Sequence, residues 1–192
     1  MNPQNSCYTY FRIIGTFDPD EVVKELGIEP SRKQRAGEKR KNGTVYEDSF
    51  CEFSRCDAYD ILVENQMMQT IEPFLNKLAE LRRIKERYSV EFWLEVVPSI
   101  FPGEPAPCLA PSKEVIKFCC ATDTSIDIDL YVNENARGKG VATQYFNYLF
   151  DKYSGAKRFR LEVVKDNVKA ISLYKKMGFT DVSYGQMKID KI

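Results

Sequence analysis

The apolar and polar positions of the chain first form a run from Cys7 to Gly15, rich in aromatic and β-branched residues, which predicts a strand. Asp18-Pro19-Asp20-Glu21 follows it with an N-cap, a proline at the first helical position and an acid at the third. A short helix through Val22, Val23 and Leu26 is therefore expected to stop at Gly27. Thr44 to Ser54 reads as a second strand. From Tyr59 to Arg87, Leu62, Met67, Ile71, Leu75, Leu78 and Leu81 fall close to one helical face, with Pro73 placed to kink or divide it. Ser89 to Val97 predicts a strand containing the single tryptophan, Trp93. Residues 98–111 hold five of the nine prolines, which predicts a long extended loop between neighbouring strands rather than a linker or lid. Glu114 to Ala121 and Ile126 to Val132 read as two strands joined by a polar turn.

The last quarter of the chain has a different rhythm: strand, turn, helix, strand, helix, strand. Val141, Ala142, Tyr145, Phe146, Leu149, Phe150 and Tyr153 make one broad apolar face, so residues 138–153 are expected to pack on a sheet. Gly138 and Gly140 sit where that helix begins, and Arg137 and Lys139 flank them with positive charge. Glycine permits unusual backbone angles there, and the first amides of a helix lack intrahelical partners, so a pyrophosphate fits. Taken alone, such a turn is equally well explained as a tight strand-to-helix connection. A second helix is capped by Asp166 or Asn167 and ended by Gly178, with Ala170, Leu173, Tyr174 and Met177 along one side.

Composition narrows the chemistry. The 192 residues are 43% hydrophobic and 29% charged, the content of an ordinary globular protein able to bury one good core or two small ones. Lys plus Arg and Asp plus Glu balance at 28 each, which argues against global attraction to nucleic acid or anionic lipid. The exception is local. Arg32, Lys33, Arg35, Lys39, Arg40 and Lys41 stand against Glu38 alone within residues 31–43, which reads as a mobile solvated loop, with anion or partner binding as the sharper alternative. Six cysteines form no CxxC pair, and with no histidine present neither a zinc site nor a Ser-His or Cys-His nucleophile is expected. The adjacent Cys119 and Cys120 fit packing better than redox chemistry. No secretory signal pattern opens the sequence and no apolar run approaches ~18 residues, so a cytoplasmic protein with reduced thiols and no membrane partner is expected.

Two resemblances follow from particular residues. Tyr10-Phe11, Leu26-Gly27-Ile28-Glu29-Pro30, Gly37-Glu38 and Asp127-Ile128-Asp129-Leu130-Tyr131-Val132 resemble a small bacterial α+β domain family of unknown function over about residues 8 to 132. That likeness implies a fold and no activity. Arg137, Gly140 and Ala142, then Asn167, Ala170, Leu173, Tyr174, Gly178 and Phe179, match in order the cofactor turn and the following helix of the GNAT N-acetyltransferase family.

The second resemblance implies specific roles. Acetyl-CoA would be the cosubstrate and an amine the acceptor, with direct transfer between them. Backbone amides around Gly138, Lys139, Gly140, Val141 and Ala142, together with Arg137, would hold the pyrophosphate. The edge of the strand at Leu130 and Val132 would bond the pantetheine arm, Asn167 would contact that arm, and Tyr174 would protonate the departing thiolate. The family's usual beginning is missing, so the general base is open. Asp127, Asp129 and Glu162 are the nearest carboxylates in predicted strands, and each reads more simply as a solvent-facing strand charge. Glu162 is the candidate base.

The expected architecture is α/β (α+β), a mixed and mainly antiparallel sheet flanked by helices. Residues 1–125 form one domain and residues 126–192 an acetyltransferase-like half, joined through a shared strand in one continuous sheet. The alternative is a non-catalytic binding module, able to hold CoA, built on a truncated half. A strand edge near the C-terminus is compatible with a homodimer.

Overall fold

The computed structural model describes residues 4–40, 43–101, 104–105, 107–132, 140–152, 158–163, 167–181 and 186–190. Its first strand, β1 (Ser6–Thr16), buries Cys7, Thr9, Phe11 and Ile13 in alternation, as a strand with one core face must. The short edge strand β2 is Arg32–Gln34, β3 is Ser49–Cys56 and β4 is Ser89–Ile100. β1 is paired antiparallel by β3 on one side and by β4 on the other, and β2 extends β3. β5 (Thr124–Ile128) and β6 (Tyr131–Val132) run parallel along the far side of β4, with Leu94 opposite Ile126 and Ser99 opposite Tyr131. The result is an α+β fold on a mixed, mostly antiparallel sheet.

Four helices build the N-terminal part. α1 (Pro19–Leu26) is capped by the Asp18 carboxylate, which accepts from the Asp20 amide, and ends at Gly27 in the left-handed region at φ 64°. α2 (Val63–Ile71) and α3 (Leu78–Arg87) are separated by a 3-10 turn over Glu72–Phe74, so Pro73 divides the helical stretch as its ring requires. Phe74 from that turn meets Phe11 at 4.6 Å and Phe53 at 5.6 Å between ring centroids, and all three are fully buried. Each such ring stabilises the fold by roughly 1.5–3 kcal/mol relative to exposure.

The fourth helix corrects a sequence expectation. Residues 113–122 form α4 and not a strand. Val115, Phe118, Cys119 and Thr122 are its buried positions, at i, i+3, i+4 and i+7, the spacing of one helix face. The Ser112 hydroxyl caps it by accepting from the Val115 amide. A crossover element is also what a parallel β4–β5 pair needs, because a tight turn cannot join parallel strands.

Two further expectations are revised. The second strand begins at Ser49 rather than Thr44, although an isolated bridge joins Lys39 to Val45. The basic segment is partly ordered, because Arg32–Gln34 pairs with β3. Its charges also have partners: Lys33 reaches Asp20 at 2.5 Å, and Arg35 reaches Asp18 at 2.6 Å and Asp20 at 3.0 Å. These bonds hold the Asp18 and Asp20 carboxyls below their ordinary range, through Arg35 and Lys33 respectively.

The C-terminal part comprises α5 (Val141–Lys152), β7 (Arg158–Glu162), α6 (Val168–Lys176), β8 (Thr180–Asp181) and β9 (Gln186–Asp190). Phe146, Phe150, Phe159, Tyr174 and Phe179 form its aromatic centre, and Tyr145 packs against the N-terminal core. Its strands make a separate antiparallel sheet in the order β7-β9-β8. The single continuous sheet expected from the sequence is therefore not formed among the described residues: β9 pairs with β7, β5 and β6 pair with β4, and no ladder joins the two sheets. Among the described residues no helix is long and apolar enough to cross a membrane.

Candidate active site

Along the β5–β6 stretch the Asp129 amide donates to the Val96 carbonyl at 2.9 Å, so the backbone there faces β4 on one side. Its opposite edge has no strand partner among the described residues. A strand edge of this kind offers spare amides and carbonyls to any extended ligand. Leu130 and Val132 lie on it; Leu130 is half-buried, and Val132 stands opposite Ile100 in the register with β4.

The turn before α5 is described from Gly140 onward, and Arg137, Gly138 and Lys139 lie outside the described residues, as do the side chains of Val132, Val141 and Glu162. Gly140 has φ 79°, a left-handed conformation that glycine adopts without strain. Among the described residues a Cβ there meets only the tip of Gln144 at 3.9 Å, and the backbone conformation is what favours glycine. Its carbonyl accepts from the Gln144 amide at 2.9 Å, which opens the helix and leaves the first amides of α5 unpaired within it. Ala142 is half-buried in the first turn.

Asn167 is the N-cap of α6. Its Oδ1 accepts from the Ala170 amide at 3.2 Å, so the residue already has a local structural duty. Tyr174 lies further along the same helix, half-buried, with its ring 5.6 Å from Phe146 and 6.0 Å from Phe179. Gly178 at φ 92° lets the chain reverse, and the Phe179 amide then donates to the Tyr174 carbonyl at 3.0 Å. Burial pushes the Tyr174 hydroxyl above its ordinary range, and the charge of Asp129 adds to the effect. The hydroxyl is therefore a proton carrier at neutral pH. The Asp129 charge that acts on Tyr174 belongs to the chain between β5 and β6.

A carboxyl that the sequence did not single out stands beside them. β4 turns Val90, Phe92, Leu94 and Val96 into the core, so Glu91, Trp93 and Glu95 point to the opposite face. Glu91 and Trp93 bond each other on that face, whereas Glu95 is only 8% exposed. Asp127 is its register partner on β5 and is hydrogen-bonded to it through the side chains. The Arg12 guanidinium reaches Glu95 at 3.7 Å. Burial first, then the Asp127 charge, push the Glu95 carboxyl up from 4.5 to about 8, with Arg12 pulling the other way. Tyr10, opposite Glu95 on β1, is raised by burial and by the same carboxylate. Asp127 is thus half-buried and engaged, not the solvent-facing strand charge its sequence suggests. Asp129 is exposed, as expected, and its carboxylate accepts a hydrogen bond from the Tyr131 hydroxyl.

Comparison with known proteins bears on both parts. The family model described as Domain of unknown function (DUF4279) matches residues 5–133, and that of the Acetyltransferase (GNAT) family matches residues 110–179. An uncharacterized N-acetyltransferase, YobR, of Bacillus subtilis (strain 168) is 40% identical over 65 residues, covering 33% of this chain and 26% of that protein. The thialysine N-epsilon-acetyltransferases of Mus musculus and Sus scrofa are 31% and 32% identical over 94 and 96 residues, covering 46% of this chain and 54% of each of those proteins. The chain thus spans between about a quarter and about half the length of these curated relatives. No solved structure matches. The two family matches overlap at residues 110–133, the segment that forms α4, β5 and β6. The chain belongs to the family described as Domain of unknown function (DUF4279), with an acetyltransferase-like C-terminal half fused to that domain.

Proposed function

We propose that the protein transfers an acetyl group from acetyl-CoA to an amine acceptor by direct attack, with no covalent enzyme intermediate. The observation that carries the reading is a strand edge at residues 129–132 with no strand partner among the described residues, together with the Asp129 charge on that stretch acting on the Tyr174 hydroxyl. The donor set fits such a ligand. Spare backbone groups at Leu130 and Val132 suit an extended pantetheine, and the amides from Gly140 to Ala142, which have no partner within α5, suit a pyrophosphate. Arg137, Gly138 and Lys139 would complete that turn. Asn167 would use its amide group toward the ligand while its oxygen caps α6.

When bound, acetyl-CoA supplies an activated acyl carbon and a thiolate leaving group. Tyr174 holds the proton that the departing sulfur needs. A phenol can donate as negative charge develops on the departing sulfur, and the apolar ring contacts of Tyr174 exclude water from that bond. The six free thiols fit a reducing, cytoplasmic setting.

A thermal-shift titration with acetyl-CoA tests the reading. Ligand at ~100 times its dissociation constant stabilises the fold by about 2.7 kcal/mol, and no shift at millimolar ligand would sink the proposal. A second reading, a CoA-binding module without turnover, is favoured by the acetyltransferase match covering residues 110–179 alone. Release of free thiol in the presence of an amine separates the two.

A further inference from the structure

The N-terminal domain faces the strand edge with chemistry of its own. Glu95 and Asp127 stand directly opposite each other across the parallel β4–β5 ladder, on the sheet face away from the helix-packed core. Like charges in register destabilise a sheet, and a β-branched pair would be the more stable filling for this buried position. The two carboxyls avoid repulsion by hydrogen-bonding to each other. Groups facing the pair from neighbouring strands are Arg12 and Tyr10 on β1 and, further along its own side, Asp129 after β5. Arg12 compensates one negative charge and no more. The pair therefore keeps a proton in the neutral range, and its Asp127 belongs to β5, the strand that leads into the edge proposed above for the acyl donor.

Tyr174 provides the second, independent observation. Its hydroxyl stays protonated through burial among Phe146 and Phe179, and Asp129 couples it to this same strand. An acid and a base with differently tuned environments thus both feel the charge of Asp129 on one strand edge, the kind of pairing that acid–base catalysis uses. Neither family match alone contains both groups: Glu95 lies before residue 110 and Tyr174 after residue 133.

We propose that Glu95, hydrogen-bonded to Asp127, is the proton acceptor for the amine, so that the N-terminal domain supplies the base which the acetyltransferase-like half lacks. This rests on the acetyl-transfer reading. The acceptor is an ammonium, R–NH3+, and one N–H bond breaks with its proton passing to a carboxylate oxygen of the pair. The electron pair left on nitrogen forms the new N–C bond as the C–S bond opens, the sulfur takes the Tyr174 proton, and the second N–H proton leaves the acylated nitrogen for water, giving the neutral amide. Glu95 and Tyr174 then exchange the gained and lost protons with solvent.

The test is thiol release from acetyl-CoA with L-lysine or 1,4-diaminobutane as acceptor, followed from pH 6 to 10. The wild-type rate is expected to rise through a midpoint near 8, where Glu95 loses its proton. Glu95→Gln is expected to remove that limb and to slow release by ~10²-fold or more, with Asp127→Asn shifting the midpoint downward. Both variants should keep the acetyl-CoA thermal shift. A Glu95→Gln protein with the wild-type rate and pH limb overturns the assignment while leaving acetyl-CoA binding intact. Absence of thiol release by the wild type with both amines overturns it too, and absence of any acetyl-CoA shift removes the reading on which it rests.

Discussion

Replacing Glu95 by glutamine removes one ionisable group from a nearly closed position without changing its size. In the folded protein the carboxyl is raised from 4.5 to about 8. Between those limits the folded state holds a proton that the unfolded chain has released. Stability therefore falls as pH rises through this window, by up to ~1.4 kcal/mol per pH unit, and levels off above the folded value. Across the whole window the difference is at most about 5 kcal/mol. Glutamine mimics the protonated acid and can still donate to Asp127, so the variant should match the wild type near pH 4 and exceed it by several kcal/mol at pH 9. The other shifted groups leave the window clear. Asp18, Asp20 and Asp60 are lowered and act in the acid region, whereas the buried thiols of Cys7, Cys51 and Cys119 are pushed up to about 12. Urea unfolding followed by the fluorescence of Trp93, which shares the Glu95 face of β4, measures both proteins at each pH. Parallel stability curves for the two proteins between pH 5 and 8 would refute the buried-acid account.

Gly15 sits at φ 143° with the Ser89 carbonyl 2.2 Å from where a Cβ would be, so Gly15→Ala should cost about 3 kcal/mol or more in urea unfolding. Tyr174→Phe keeps the ring contacts and should slow thiol release by ~10²-fold with acetyl-CoA affinity, measured by thermal shift, nearly unchanged. Asn167→Ala removes the cap of α6, which should destabilise that helix by ~1 kcal/mol in hydrogen exchange and also weaken acetyl-CoA binding; a change in exchange without one in affinity would confine the residue to capping.

Local chemistry explains which parts of the fold were legible in the sequence. α1 was readable because cap, proline and terminal glycine are all near neighbours, and Pro73 announced the break between α2 and α3. β2 was not, because Arg32-Lys33-Gln34 has no apolar residue and owes its pairing to the exposed edge of β3. α4 has the composition of a strand in Val115, Ile116, Phe118 and the two cysteines, while the helical spacing of its buried positions carries the true signal. The same limit applies to the site. The GxG turn, Asn167 and Tyr174 form local motifs and could be found in the chain, whereas Glu95 acquires its character from Asp127, 32 positions away, and from the burial that sheet formation imposes. The separate second sheet likewise follows from β9 claiming β7, a choice between distant partners.

The proposed function requires the β5–β6 edge and the turn at Gly140 to hold acetyl-CoA together. Isothermal titration of the full chain with acetyl-CoA tests it most directly, alongside Gly140→Val, which disfavours the φ 79° turn. The account predicts one site per chain in the wild type and at least tenfold weaker binding in the variant. No measurable heat with millimolar acetyl-CoA, or equal affinity in both proteins, would contradict it.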